Sequence, residues 1–150
     1  MSPKPNHWMN RLNRVEMEYR AIRLATDQLI YIVRVNPTIL TDKLTPSHLD
    51  NASMSLETTY LVRLQAEFEI GLRLYWRSIR KSRTKPSMVV LLGLVAARRD
   101  IPDEVVNNAD QIRELRNRII HEGDDTVVMI PLRVARSRLC SYLARLPLDW

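Results

Sequence analysis

A chain of 150 residues that is 45% hydrophobic has the size of one ordinary domain and can bury a core without covalent staples. A single cysteine, Cys140, excludes an internal disulfide framework and a zinc site built from cysteines, and three glycines leave no glycine-rich phosphate cradle of the P-loop or dinucleotide kind. The net charge of +6, much of it carried by arginine, favours nucleic acid or another polyanion as a partner.

Residues 1–9 begin proline-rich and polar and are expected to form a loose arm, with Trp8 pinning its end to the body. From Asn10 the apolar positions Leu12, Val15, Tyr19, Ile22, Leu29, Ile32 and Val33 recur at helical spacing, with arginines and glutamates on the other side. This is a long first helix, and Asn36-Pro37 stops it. In the turn-rich stretch that follows, Thr45-Pro46 predicts a short helical turn with threonine as cap, and His48 reads as a surface or capping residue. A second long helix is expected from about Ser55 to Lys81 on the stripe Tyr60, Leu61, Leu64, Phe68, Leu72, Tyr75 and Ile79. Glu67 sits at the edge of that stripe and is the carboxylate expected to be partly buried. Gly71 in mid-helix predicts close approach of another backbone.

Pro86 and Ser87 open a third helix, MVVLLGLVAARR, apolar nearly all round and therefore expected in the centre of the bundle. Asp100, Pro102, Asp103 and Glu104 supply start signals for a fourth helix that runs to His121. Val127 to Ile130 reads equally as a short extended piece or as the entry to a last helix. From Leu132 the pattern Ala135, Leu139, Tyr142, Leu143 and Leu146 gives a terminal helix with a basic flank that includes Arg133 and Arg136. The fold class that follows is all-α: one antiparallel bundle of four to five helices over residues 1–150. There is no apolar run approaching about 18 residues and no apolar core for a signal peptide, so the expectation is a cytoplasmic protein with no membrane partner.

One stretch departs from this amphipathic scheme. In QIRELRNRIIHEG, Gln111 to Gly123, Arg116 falls near the middle of the stripe formed by Val105, Ala109, Ile112, Ile119 and Ile120. A guanidinium does not give up its proton, so a site that removes it from water must supply an anion, either a protein carboxylate or a ligand phosphate. Asn117 follows, with His121 at i+4, then Glu122 and a glycine suited to ending the helix. Two readings follow. Arg116 either pairs with Glu67 inside the bundle while His121 answers the helix dipole, or arginine, amide and imidazole together address a phosphate. Arg113 points between Arg116 and Asn117 and is a further candidate for phosphate contact. Trp8, Trp76 and Trp150 read as core anchors in preference to base-stacking platforms. No His/Asp/Glu cluster has metal-ligand spacing, so neither metal nor cofactor is expected.

The sequence RNRIIH, Arg116 to His121, in a small all-helical domain resembles the signature of the HEPN superfamily (higher eukaryotes and prokaryotes nucleotide-binding). The preceding helix with Glu67, an aromatic residue, Gly71 and Arg73 is similar to the family's earlier helix, which often carries an acidic residue. Many members of that family are metal-independent ribonucleases acting as toxins or antiviral effectors, and others are inactive. The resemblance implies that Arg116 and His121 are catalytic, with Asn117 as the supporting polar residue and Glu67 and Glu122 behind them. It also implies RNA as substrate, a homodimer in which two motifs meet across a cleft, and a cognate antitoxin or other defence-system protein as a partner. Arg113, Arg133 and Arg136 are the candidates for holding the RNA backbone.

Overall fold

The structure is a computed structural model, and it describes residues 4–80, 84–122 and 127–150, the Glu122 side chain excepted. Five helices follow one another: α1 Pro5–Val35, α2 Pro46–Ile79, α3 Met88–Arg99, α4 Asp103–Glu122 and α5 Leu132–Leu143, with a short 3-10 turn at Pro37–Ile39. The described residues contain no strand, and the chain is an all-α bundle. The longest seam runs between α1 and α2. Helix α5 packs on α4, α1 and α2, so these four surround the core, while α3 lies mainly on α2 and α4.

The core is one cluster. Trp8, Leu12 and Val15 from α1 meet Leu61, Leu64, Phe68, Leu72 and Tyr75 from α2, and α4 and α5 close it with Ala109, Ile112, Leu115, Ala135, Leu139 and Tyr142. Phe68 and Tyr142 pack edge to face at 5.6 Å, and the Tyr142 hydroxyl satisfies itself by donating to the Leu92 carbonyl at 2.7 Å. Trp150 reaches Tyr75 edge-on at 5.1 Å. Trp8 and Trp76 are buried as well, so the tryptophans serve the core.

Several expectations are corrected by this architecture. Residues 5–9 are the first turns of α1, not part of a loose arm. Pro5 stands in the first turn, where a missing N–H costs nothing, and Trp8 is drawn into the core. The short turn at Pro46 and the second helix are one continuous helix of 34 residues. His48 serves as its cap, its Nδ1 accepting from the Thr45 N–H at 3.0 Å. Gly71 accommodates a side chain in place of a backbone: a Cβ built there would lie 2.7 Å from Trp8 Cδ2. Asp100 ends α3 in a left-handed conformation at φ 50°, and only after it does α4 begin. Of the two alternatives for Val127 to Ile130, entry to the last helix is excluded, since these residues are not helical and α5 begins at Leu132.

Helix α3 is not central. One face buries Met88, Leu91, Leu92, Val95 and Ala96, but Val89, Val90 and Leu94 on the other face are 40–50% exposed, beside Gly93. An all-round apolar helix held on two sides only leaves its outer face without a partner. At the opposite extreme of length, no residue of α1 between Val15 and Val33 is fully buried. There α1 and the start of α2 form a two-helix hairpin beyond the core, tied by Arg23, which donates to Ser53 Oγ at 2.8 Å and to its carbonyl at 2.9 Å. No helix among the described residues is long and apolar enough to cross a membrane.

Candidate functional site

Helix α4 carries the site. Its buried stripe is Ala109, Ile112 and Leu115, with Val105, Val106 and Ile119 partly buried and Ile120 about half exposed. The stripe therefore passes through Leu115, and Arg116 lies one residue off its centre, half-buried at the edge facing α2 and α3. This placement lets the guanidinium leave the core without reaching open solvent.

Arg116 does not meet Glu67. Glu67 is taken by Arg11 of α1, whose Nε lies 2.8 Å from Oε2 and whose Nη2 donates to Oε1 at 3.0 Å. The same Arg11 guanidinium stacks over Trp8 at 4.8 Å. Arg116 instead donates from Nη1 to Asn117 Oδ1 at 3.1 Å, and among the described residues it has no carboxylate partner. A half-buried cation without a counter-ion is costly, and the cost is lowest where a ligand anion completes it.

Arg116 and Asn117 open on a cavity of about 290 Å³. Gln65, Glu69 and Arg73 of α2 form one wall, Ser87 to Val89 at the start of α3 a second, and Arg113, Arg116 and Asn117 a third. Two of its three guanidinium groups are already neutralised. Arg73 pairs with Glu69 at 2.7 Å and donates to the Pro86 carbonyl at 3.0 Å. Arg113 pairs with Asp110 at 2.6 Å, and this hydrogen bond, reinforced by the Asp110 and Glu114 charges, holds it above its ordinary pKa against the opposing pull of burial. Arg116 carries the remaining charge. The cavity also lies at the N-terminal end of α3, where the first amides have no carbonyl within the helix and the dipole is positive. The Ser87 side chain makes no capping bond there.

No protein-family model, curated protein or solved structure matches the chain.

Of the residues singled out in the sequence, Arg113, Arg116 and Asn117 share this one cavity. His121 is exposed near the end of the same helix, five residues on, and does not line it. Glu122 is the last residue of α4 and its side chain lies outside the described residues, as does Gly123. Arg133 borders a separate cavity with Glu16, Tyr19 and Glu57, and Arg136 is tied to Glu16 and to Asn13 Oδ1 at 2.9 Å. These two arginines stand on α5, apart from the Arg116 cavity. Among the described residues no group of three or more His, Cys, Asp or Glu side chains is placed to hold a metal ion.

One residue of the site escaped the sequence reading. Gln65 is 2% exposed, and neither its amide nitrogen nor its amide oxygen has a hydrogen-bond partner. The sequence carries a signal for it: four residues after Leu61 and three before Phe68, it is a polar residue on an apolar stripe, as Arg116 is on α4.

Proposed function

We propose that the chain is a HEPN-like, metal-independent endoribonuclease that works as a homodimer and serves as a toxin or antiviral defence effector in the cytoplasm. The observation that carries this reading is Arg116: a half-buried guanidinium with no carboxylate among the described residues, bonded to Asn117 on a cavity wall, one and a half turns from His121. A phosphate fits what that group lacks, because a guanidinium offers a bidentate fork to two non-bridging oxygens.

The chemistry is transesterification. The ribose 2′-oxygen attacks the adjacent phosphorus, its proton passing to a base, while the bond from phosphorus to the 5′-oxygen breaks and that oxygen takes a proton from an acid. The product ends are a 2′,3′-cyclic phosphate and a 5′-hydroxyl. Histidine, with a reference pKa of about 6.5, serves either proton transfer near neutral pH. One chain supplies one such imidazole at the site, so base and acid come from two copies of His121 facing each other. Arg116 and its symmetry mate stabilise the charge on the phosphorane, and Asn117 holds the guanidinium in place. The exposed face of α3, whose Val89 also lines the cavity, is the apolar surface beside the site that a second copy covers. Cognate partners, an antitoxin or another defence protein, belong to the same reading.

Purified protein in EDTA, given mixed cellular RNA, is expected to leave cyclic phosphate ends, and Arg116→Ala and His121→Ala each to abolish cleavage. Unchanged cleavage in both variants, or only 3′-hydroxyl ends, rejects the assignment. A second reading, a non-catalytic HEPN-type module that binds RNA or protein, is favoured by one observation. The His121 ring makes no hydrogen bond among the described residues that would fix its orientation. Under that reading RNA is retained but never cut.

A further inference from the structure

The proposed chemistry uses the phosphate and the ribose, and leaves Gln65 unexplained. This side chain is 2% exposed on α2, in the wall of the cavity that holds Arg116 and Asn117, with amide nitrogen and oxygen both unpartnered. Buried amides are almost always satisfied, because an unmade hydrogen bond in the interior forfeits what water would have given. A fold with no use for the group would place leucine there, as it does at Leu61, Leu64 and Leu72 on the same helix. What the amide lacks indicates what would satisfy it. A phosphate brings only acceptors and would answer the nitrogen alone, leaving the oxygen bare. The missing ligand must present a donor and an acceptor side by side, which is the edge of a nucleobase.

Resting on the ribonuclease reading, we propose that Gln65 is a base-reading residue: its amide pairs two-fold with the edge of an unstacked RNA base that enters the cavity beside the phosphate held by Arg116. The size limits the occupant, since about 290 Å³ falls just below the roughly 300–1,000 Å³ typical of small-ligand sites and so calls for a single base in place of a longer segment. Both amide atoms are shielded from water, so the entering base displaces part of the cavity wall, and long side chains on α2 and α4 can make that swing by changing rotamer. Glu69 and Arg73, which follow Gln65 at i+4 and i+8, are about a third exposed and line the approach.

The test is binding of fluorescent hexamers of A, U, C and G, read by anisotropy in the His121→Ala background so that cleavage does not interfere. The wild-type residue at position 65 is expected to favour one base over the weakest by about tenfold, the order of a good bidentate base contact. Gln65→Leu and the longer-chained Gln65→Met are expected to bring the hexamers level, while raising the melting temperature because an unsatisfied buried amide is gone. Gln65→Glu, which only accepts, is expected to shift the preference toward bases with an exocyclic amino group. Absence of any base preference, or a preference that survives both apolar variants, overturns the proposal, as does a lower melting temperature with unchanged preference. Cleavage without Gln65-dependent selectivity removes only the base-reading role. Gln65-dependent binding without cleavage by the protein carrying His121 removes the ribonuclease reading and leaves the subsite standing.

Discussion

Arg11 of α1 grips Glu67 of α2 with two nitrogens, at 2.8 and 3.0 Å, on the side of α2 that faces α1, so Glu67 is committed there and does not line the cavity of Arg116. Glu67 is the more buried partner, 16% exposed against 39% for Arg11. The pair is structural, and a double-mutant cycle on Arg11→Ala and Glu67→Ala is expected to give a coupling of about 1 kcal/mol, read from urea midpoints. Glu67→Gln should leave RNA cleavage unaltered. A loss of cleavage on that change, with the fold intact, would return Glu67 to the site.

Arg116 itself should behave oppositely. Since no carboxylate among the described residues depends on it, Arg116→Met strands no buried anion and is expected to change stability by less than about 1 kcal/mol, or to raise it. The same change should eliminate cleavage and flatten the salt dependence of RNA binding, since each phosphate contact contributes to that slope. Thermal melts and a salt titration check both halves. A structural ion pair would give the reverse, a drop of several kcal/mol in stability.

Two glycines make a contrast in sign. Gly71 faces the Trp8 ring, with Cγ and Cδ2 at 2.8 and 2.7 Å from a built Cβ, and the ring is buried on its other side. Alanine there gains about 1 kcal/mol of helix propensity but forces a core tryptophan to move, so a net loss of roughly 1–2 kcal/mol is expected. Gly93 on the outer face of α3 has nothing within 4 Å. Gly93→Ala should stabilise by up to about 1 kcal/mol. Melting temperatures moving in opposite directions confirm the contact at Gly71 and the open space at Gly93.

Tyr142 gives the fold an alkaline limit. Burial, and secondarily the neighbouring Tyr75, pushes its phenol well above the ordinary tyrosine value. The native state thus holds the proton that the unfolded chain releases near pH 10. Stability from this group is complete below about pH 10 and declines as pH rises beyond it, because the unfolded state then binds fewer protons. Tyr142→Phe should cost about 1 kcal/mol near neutral pH through the lost bond to the Leu92 carbonyl, yet show a shallower decline at roughly pH 11. Urea midpoints at the two pH values decide it.

The elements that the sequence made legible were those whose signals are local. Proline and cap residues delimit α2, α3 and α4, and apolar periodicity marks the core stripes of α2 and α5. The start of α2 reads as a separate turn because residues 46–57 bury nothing fully and so carry no strong stripe; they are held by α1 and, at Glu57, by the Leu132 N–H at the start of α5. Helix α3 was misplaced for a related reason, since composition says that a helix is apolar all round but not whether a neighbour covers it. In the site, the Arg116 anomaly was visible, whereas its true neighbourhood was not. Whether Glu67 turns to Arg11 or to Arg116 depends on which helix lies opposite, and Gln65 acquires meaning only when α2, α3 and α4 enclose a cavity around it.

The outer face of α3 supplies the test of assembly. Val89, Val90 and Leu94 expose 40–50% of their surface on one side of a helix whose start forms a wall of the Arg116 cavity. If a second copy covers that face, a charge at its centre should separate the copies without disturbing the core, since Leu94 does not belong to the buried cluster. Leu94→Glu is therefore expected to sediment as a monomer, to melt within about 1 kcal/mol of the parent, and to lose RNA cleavage. Loss of cleavage follows from the need for two imidazoles, because a lone chain has one His121 to act as base and none to act as acid. A wild-type monomer that cleaves RNA would reject the two-copy site, and a Leu94→Glu dimer would place the seam elsewhere.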